Sequence, residues 1–271
     1  MTPQRSAPQG PRAGAGFTLL EIAVALFVVT LVLGALLVPL SQQVESRKLS
    51  ETQRTLDLAV EALQGFASAN GRLPCPASAA SNGVESPVGG GICTNPLDGF
   101  LPAVTLGVSP TDANGYLIDA WSSAQALSRV RYAVATTTHV CATPGVGNLV
   151  FATVNGMRNC WSQITAAAVE GDLVICSTAT GIGANACAAG ATLFDKAIAV
   201  VYSVGANAGT TSGAGIDEQA NPNPVNGSVN RTFVSHLPSG TAAPNGEFDD
   251  VMVWISPNVL YSKLIAASQL P

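Results

Sequence analysis

The chain has 271 residues, of which 47% are hydrophobic and 11% are charged, and its formal net charge is −5. Globular proteins usually carry about 25% charged residues, so this chain is unusually poor in charge. Beyond Leu40, acidic residues outnumber basic residues by 16 to 10. A nucleic-acid-binding groove needs a basic stripe, and the sequence shows none, so we predict no nucleic-acid partner.

A continuous apolar segment follows a short leader at the N-terminus. The leader, residues 1–16, contains two arginines and ends in Gly16, and the segment from Phe17 to Leu40 carries a single charge, on Glu21. A helix of this length would cross the roughly 30 Å hydrocarbon core of a bilayer. We therefore predict a transmembrane helix over 17–40, with a cytoplasmic leader and an exported remainder according to the positive-inside rule.

Three interpretations of this segment compete. A cleaved secretory signal has an apolar core of about 7–15 residues and then a site of small residues, whereas this core is longer and ends in Pro39-Leu40. A plain signal anchor fits the length but leaves Glu21 unexplained, because a carboxylate at mid-membrane costs about 2.5–3.5 kcal/mol. The third interpretation accounts for Gly16, Phe17 and Glu21 together.

The leader that ends in Gly16, the Phe17 after it and the acid at Glu21 resemble the N-terminus of type IV prepilins and type II secretion pseudopilins. The resemblance implies that prepilin peptidase cleaves between Gly16 and Phe17 and that the new amine of Phe17 is methylated. It also implies that Glu21 pairs with the Phe17 amine of a neighbouring subunit during assembly, because a buried carboxylate needs a positive partner. A plainer interpretation is that Glu21 reaches the headgroup layer.

A helical pattern continues after Ser41 with a different composition. Apolar residues recur at helical spacing among charged ones, at Leu49, Leu56, Val60, Leu63 and Ala67. Asn70-Gly71 is a typical helix end. We therefore predict that residues 41–70 form an amphipathic extension of one spine helix and that residues 71–271 form a periplasmic or extracellular globular head.

Short apolar runs in the head predict strands separated by Gly-, Asn- and Thr-rich loops. These runs lie at 130–134, 148–154, 172–176, 197–204 and 248–255. Ser256-Pro257 then predicts the start of a helix. The expected fold class is α+β and pilin-like, with a spine helix that is half transmembrane and half amphipathic, a β-rich head and a short C-terminal helix.

All six cysteines lie in the predicted head, at Cys75, Cys93, Cys141, Cys160, Cys176 and Cys187. An even number of cysteines in an exported chain favours disulfides over buried free thiols. Six cysteines allow 15 pairings. We favour pairing of neighbours along the chain, because each such bond closes a short loop.

No motif of a catalytic or metal site is present in the sequence. The chain lacks a P-loop, a nucleophile elbow and an HExxH sequence, and we predict that it is not an enzyme. Neither histidine lies at zinc-site spacing from a cysteine pair. We also expect Asp249 and Asp250 to point to opposite faces of a strand, which would prevent both from binding one metal.

The resemblance leaves calcium open, since some major pseudopilins bind a calcium ion in the head. Residues that could contribute oxygen ligands are Asp98, Asp217, Glu218 and Asp249. The sequence Asp112-Ala-Asn114-Gly115 favours a β-turn over a calcium loop, because the further acidic ligands are missing. We therefore predict no metal site and no cofactor.

The function expected from the resemblance is structural. The chain would be a minor pilin or pseudopilin of a type IV pilus or type II secretion pseudopilus, because its head is large for a densely repeated shaft subunit. Expected partners are prepilin peptidase, other subunits, the inner-membrane assembly platform and membrane lipid. The expected location is the inner membrane, in a single pass, and then the pilus or the cell surface. The alternative is a signal-anchored periplasmic binding or adhesion domain that does not polymerise.

Overall fold

The computed structural model describes residues 18–121, 128–138, 149–161, 170–207, 215–221 and 230–271, with the backbone alone for 35–42. The helices are α1 (Leu19–Asn70), α2 (Ala103–Leu106), α3 (Gly156–Trp161), α4 (Ile216–Ala220) and α5 (Pro257–Ala266). The strands are β1 (Gly99–Phe100), β2 (Arg131–Val134), β3 (Leu173–Cys176), β4 (Thr192–Ala197), β5 (Ala199–Ser203), β6 (Thr232–Val234) and β7 (Val251–Ile255). The chain divides into an N-terminal unit, Met1–Arg47, and a C-terminal unit, Lys48–Pro271.

The described part of helix α1 does not contain the predicted membrane span. Within the described residues, no helix combines the length and the apolarity needed to cross a membrane. The fold class with a transmembrane half and the single-pass inner-membrane location were therefore wrong. The architecture observed is α+β, with a long N-terminal helix and a head of mixed sheets.

The described strands of the C-terminal unit form two sheets. Strands β1, β2, β5 and β7 form an antiparallel sheet in the order β1-β2-β5-β7. Strand β3 lies between an antiparallel β4 and a parallel β6 in the second sheet. Only Ile198 separates β4 from β5, so one extended segment passes from the second sheet directly into the first.

The second half of α1 supplies one wall of the hydrophobic core. Its buried face consists of Leu56, Ala59, Leu63 and Ala67, which recur every three or four residues. These side chains belong to the same core cluster as Tyr132 and Val200 of the first sheet. The amphipathic pattern therefore marks the face of the helix that packs on the sheets.

Replacing Leu63 with Ala is expected to lower the free energy of unfolding by about 2–5 kcal/mol, because the substitution leaves a cavity in a closed core. Leu63 is fully buried, whereas Leu58 on the same helix is 53% exposed. Leu58→Ala is the matched control and should cost less than about 0.5 kcal/mol. Urea unfolding of both variants measures the difference, and equal losses would contradict this packing.

Helix α1 ends as its sequence predicts, at Asn70, and Gly71 follows with a φ of 66°. Directly after it, Arg72 forms a two-pronged ion pair with Glu85, with N–O distances of 2.7 Å on both prongs. Both side chains are buried, and the backbone N–H groups of Cys75 and Gly89 also donate to the Glu85 carboxylate. This pair fastens residues 85–89 to the end of the helix.

Pairing of neighbouring cysteines is confirmed for two of the three predicted disulfides. Cys75 is bonded to Cys93, and Cys176 is bonded to Cys187. Cys160 is also disulfide-bonded, and Cys141, its predicted partner, lies outside the described residues. The first disulfide closes the same loop that the Arg72–Glu85 pair holds.

The strand predictions succeed at four of the five segments. Strands β2, β3, β5 and β7 lie within the predicted ranges 130–134, 172–176, 197–204 and 248–255, and helix α5 follows Ser256 as expected. The prediction for 148–154 was wrong, because described residues 150–155 form turns and then lead into α3. The apolar side chains of residues 150–152 are nevertheless buried, and a short buried apolar run does not distinguish a strand from a buried turn.

Candidate functional site

The first candidate site is the apolar surface at the start of α1. Every described side chain from Thr18 to Gly34 is exposed, including Leu19 at 90% and Phe27 at 66%. The segment is apolar on all sides, with Glu21 as its one charged residue. A helix that is hydrophobic all round normally lies buried against other structure. This surface therefore needs a partner that covers it.

Glu21 lies in the first turn of α1, and Thr18 caps that turn. The backbone N–H of Glu21 donates to Thr18 Oγ1 at 3.3 Å and to the Thr18 carbonyl at 3.0 Å. A Thr followed three residues later by Glu is the capping-box spacing, and an acid also interacts favourably with the positive end of the helix dipole. Sequence reasoning missed this local role of Glu21, although the Thr-x-x-Glu spacing signals it.

Gly16 and Phe17 lie outside the described residues. Cleavage between them and methylation of Phe17 therefore stay predictions.

The second candidate site is an acidic cluster formed by Glu218, Asp249 and Asp250. Glu218 comes from α4, and the two aspartates directly precede β7. One carboxylate oxygen from each residue lies within 4.8 Å of the other two. The expectation that Asp249 and Asp250 point apart was wrong, because the strand begins at Val251 and the aspartates lie in the segment before it, where strand alternation does not apply.

Neighbouring backbone and amide groups hold the acidic cluster in place. Asn221 donates to Asp250 Oδ2 at 2.8 Å, and Asn207 donates to Glu218 Oε2 at 2.8 Å. The N–H of Ala206 donates to Asp249 Oδ2 at 2.9 Å. Gly205 has a φ of 65°, and a Cβ atom there would lie 1.9 Å from Asp249 Oδ1. Only glycine permits this close approach of the backbone to the carboxylate.

The surroundings favour the protonated forms of Asp249 and Asp250. Burial raises the pKa of Asp249 to about 7; the carboxylates of Glu218 and Glu247 and a side-chain hydrogen bond with Glu218 act in the same direction, and the hydrogen bond from Ala206 opposes it. Burial also raises the pKa of Asp250 well above its usual range; Glu218 and Asp249 add to this, and the hydrogen bond from Asn221 opposes it. The charged groups that shift both pKa values are therefore acids.

The other acids considered from the sequence lie in separate environments. Asp98 forms an ion pair with Arg131, and Asp112 closes the predicted turn and pairs with Arg129 at 2.7 Å. Asp217 turns away from its neighbour Glu218 and accepts hydrogen bonds from Thr178 and Asn245. Of the four acids named from the sequence, the structure brings Glu218 and Asp249 together, and Asp250 joins them.

A groove lies beside α1. It has a volume of about 370 Å³ and lies between the turn of α1 at Leu49–Gln53 and the segments 235–238 and 250–252. Asp250 is among the residues that line this groove, although it is only 5% exposed.

Comparison with protein-family models, curated proteins and solved structures found no match to this chain.

Proposed function

We propose that this protein is a structural subunit of a type IV pilus or type II secretion pseudopilus, assembled through the first part of α1. The observation that carries the proposal is that every apolar residue from Thr18 to Gly34 is exposed. The C-terminal unit has its own closed core, so these residues are not needed to fold it. Packing of the same helix from many copies would cover them.

Glu21 is proposed to set the register between subunits. After cleavage at Gly16–Phe17, the new amine would lie four residues before Glu21, a helix rise of about 6 Å. A carboxylate buried among packed apolar helices is tolerated when it meets a positive charge. The amine of a neighbouring Phe17 would supply that charge, whereas a subunit in the wrong register would leave Glu21 buried and unpaired.

The proposed partners follow from this mode of assembly. Prepilin peptidase would cleave and methylate the chain, other pilin or pseudopilin subunits would cover α1, and an assembly platform would add the subunit to the filament. The large head, residues 71–271, favours a low-copy or tip position on steric grounds, because a densely repeated shaft leaves little room around each subunit.

Glu21→Ala is expected to remove the protein from the filament fraction, because the substitution deletes the carboxylate that would pair with the neighbouring amine. The measurement is quantitative mass spectrometry of sheared filaments and of the cell pool from the native host. A wild-type peptide that begins at methylated Phe17 would support processing. A wild-type protein that retains residues 1–16 and is missing from the sheared fraction would contradict the proposal and favour a binding domain that does not polymerise.

Two control variants separate pairing between subunits from local effects on the helix. Thr18→Ala removes the cap of α1 but keeps the carboxylate, so it should assemble nearly as well as wild type. Glu45→Ala removes an exposed acid from the same helix and should also assemble. If Thr18→Ala fails as completely as Glu21→Ala, the role of Glu21 is to cap the helix and the pairing mechanism is wrong.

A further inference from the structure

We propose that the outer edge of strand β7 is a docking site for an extended, basic segment of another polypeptide, which pairs with β7 as an additional strand of the first sheet. The inference goes beyond the filament function and does not depend on it, because it concerns the head and not the first part of α1. Among the described strands, β7 pairs with β5 alone. An outer strand presents unpaired backbone N–H and C=O groups, and a further extended chain can satisfy them.

Strand β7 lacks the features that normally protect the edge of a sheet. Proteins protect such edges with charged side chains, proline residues, bulges or very short strands. The sequence of β7, Val-Met-Val-Trp-Ile, contains no charged residue and no proline, and its pairing with β5 keeps a regular register over all five residues. Three of its side chains, Val251, Val253 and Trp254, are only half-buried. The edge of β7 is therefore suited to pairing with another strand.

The other outer strands that the structure describes are protected. Strand β4 carries the exposed Asp195 and Lys196, and its register with β3 shifts twice. Strands β1 and β6 have only two and three residues. Charge, irregular register and short length all hinder pairing with a further strand. The contrast within one molecule therefore favours β7 as the edge that receives a partner.

Two adjoining grooves lie between β7 and α1. The first, of about 370 Å³, is lined by Leu49 on α1 and by Met252 on β7. The second, of about 410 Å³, is lined by Asp57 and Val60 on α1 and by residues 252–254 of β7. From Leu49 to Val60 the helix rises about 16 Å, and the five residues of β7 span about the same length. Together the grooves therefore have the length of a short strand laid beside β7.

The apolar part of the lining selects a partner strand with apolar side chains on one face. Leu49 and Val60 contribute apolar surface from α1, and Met252 and Trp254 contribute it from β7. Successive side chains of a strand point to opposite faces, so every second residue of the partner would contact this surface. In this mode of recognition the backbone hydrogen bonds supply affinity, and the alternate side chains supply specificity.

The charged part of the lining favours a basic partner. The lining residues include two acids, Asp57 and Asp250, and neither lysine nor arginine. Asp57 is exposed. Burial raises the pKa of Asp250 well above its usual range, so Asp57 supplies the negative charge that a partner meets. His236 also lines the first groove, and it pairs with Asp217 at 3.1 Å.

Charge also separates a different polypeptide from a second copy of this chain. Beyond Leu40 the chain has 16 acidic and 10 basic residues. A second copy would bring the same excess of acids to the groove, and like charges disfavour association. A basic segment of a different polypeptide has the complementary charge, and electrostatic attraction would also speed its encounter with the groove.

The test measures the binding of fluorescent peptides to the purified full-length protein by anisotropy. A peptide of alternating lysine and valine, about seven residues long, should bind saturably, because it offers a strand backbone, an apolar face and positive charge. A peptide of alternating glutamate and valine should bind at least about threefold more weakly, because it meets Asp57 with a like charge. The absence of saturable binding of the basic peptide, or equal binding of both peptides, would overturn the proposal.

Amide hydrogen exchange locates the bound peptide. Alternate N–H groups of β7 point away from β5, and the basic peptide should slow their exchange. The amides of Ala199–Ser203 should change little, because β5 is already paired on both sides. Protection confined to other segments would overturn the assignment. Protection of β7 that appears on raising the protein concentration without peptide would show that a second copy occupies the edge, and would overturn the proposed partner.

Charge reversal at one position of the groove tests its role in selecting the partner. Asp57→Lys should weaken binding of the basic peptide at least about threefold and strengthen binding of the acidic peptide. Glu51→Lys is the matched control, because it reverses an exposed acid of α1 that lines neither groove. The control should bind both peptides nearly as wild type does. Equal effects of the two substitutions would show that net charge alone controls binding, and would overturn the assignment to the groove.

Discussion

Arg72→Met is expected to lower the free energy of unfolding by about 3–5 kcal/mol, because it leaves a buried carboxylate without its partner. Arg72 and Glu85 are 5% exposed, and two hydrogen bonds of 2.7 Å join them. Methionine keeps most of the volume of the side chain and removes the charge. Urea unfolding of the variant at pH 7 measures the loss.

The effect of pH separates this electrostatic loss from a packing defect. Although burial acts to raise it, the pKa of Glu85 in the folded protein is lowered by the hydrogen bonds from Arg72, Gly89 and Cys75. The pair therefore contributes its full stabilisation above the unfolded pKa of about 4.3 and loses it as the pH falls through the lowered folded value. The difference between wild type and Arg72→Met should be largest at neutral pH and should shrink in acid. A difference that stays constant with pH would contradict the assignment.

Two control variants calibrate the loss of stability expected when this buried ion pair is broken. Lys196→Met breaks the Lys196–Glu170 pair, whose side chains are 47% and 31% exposed, and should leave the free energy of unfolding nearly unchanged, because water screens an exposed ion pair. The double variant Arg72→Met/Glu85→Gln should recover much of the loss, because the uncompensated charge is gone.

Asn221→Ala is expected to lower the free energy of unfolding by about 3 kcal/mol or more, because it leaves several buried polar groups unpaired. Asn221 is 1% exposed, and its side chain accepts from the N–H of Val234 at 2.7 Å and donates to the Val234 carbonyl at 2.9 Å. It also donates to Asp250. The side chain thus links α4 with β6 and with the acidic cluster.

Asn70→Ala is the matched control for this prediction. Asn70 is exposed, and within the described part of the chain its amide donates only to the Phe66 carbonyl of its own helix. Water can replace that bond, so the substitution should change stability by less than about 0.5 kcal/mol. Thermal unfolding of both variants is the measurement. Similar Tm values for Asn221→Ala and wild type would show that the Asn221 bonds do not hold the cluster.

Much of the fold could be predicted where neighbouring residues decide the structure. Asn70-Gly71 ends α1, Ser256-Pro257 starts α5, and Cys75–Cys93 and Cys176–Cys187 close short loops. The error at 148–154 has a physical origin. Its buried apolar residues lie in turns and not in a strand. Hydrophobicity predicts that a residue is buried but does not specify the backbone conformation.

The two candidate sites also differ in how far the sequence predicts them. The sequence alone shows an apolar N-terminal segment with one acid at Glu21, because both features lie within a continuous stretch of residues. Sequence reasoning considered Glu218 and Asp249 as separate oxygen donors and excluded Asp250 as a common ligand by strand alternation. Only the structure showed that β7 starts at Val251, after both aspartates and three residues later than predicted.

The sequence by itself determined the helical periodicity of residues 41–70 and the end of that helix, and it favoured the pairing of nearby cysteines, because these features depend on contacts within a few turns or a short loop. Only the tertiary structure decided that Arg72 meets Glu85 and that residues 218 and 249–250 share one site. The energy of a charge depends on its burial and on its neighbours in space. Those neighbours come from segments far apart in the chain, which periodicity and local turn signals do not specify.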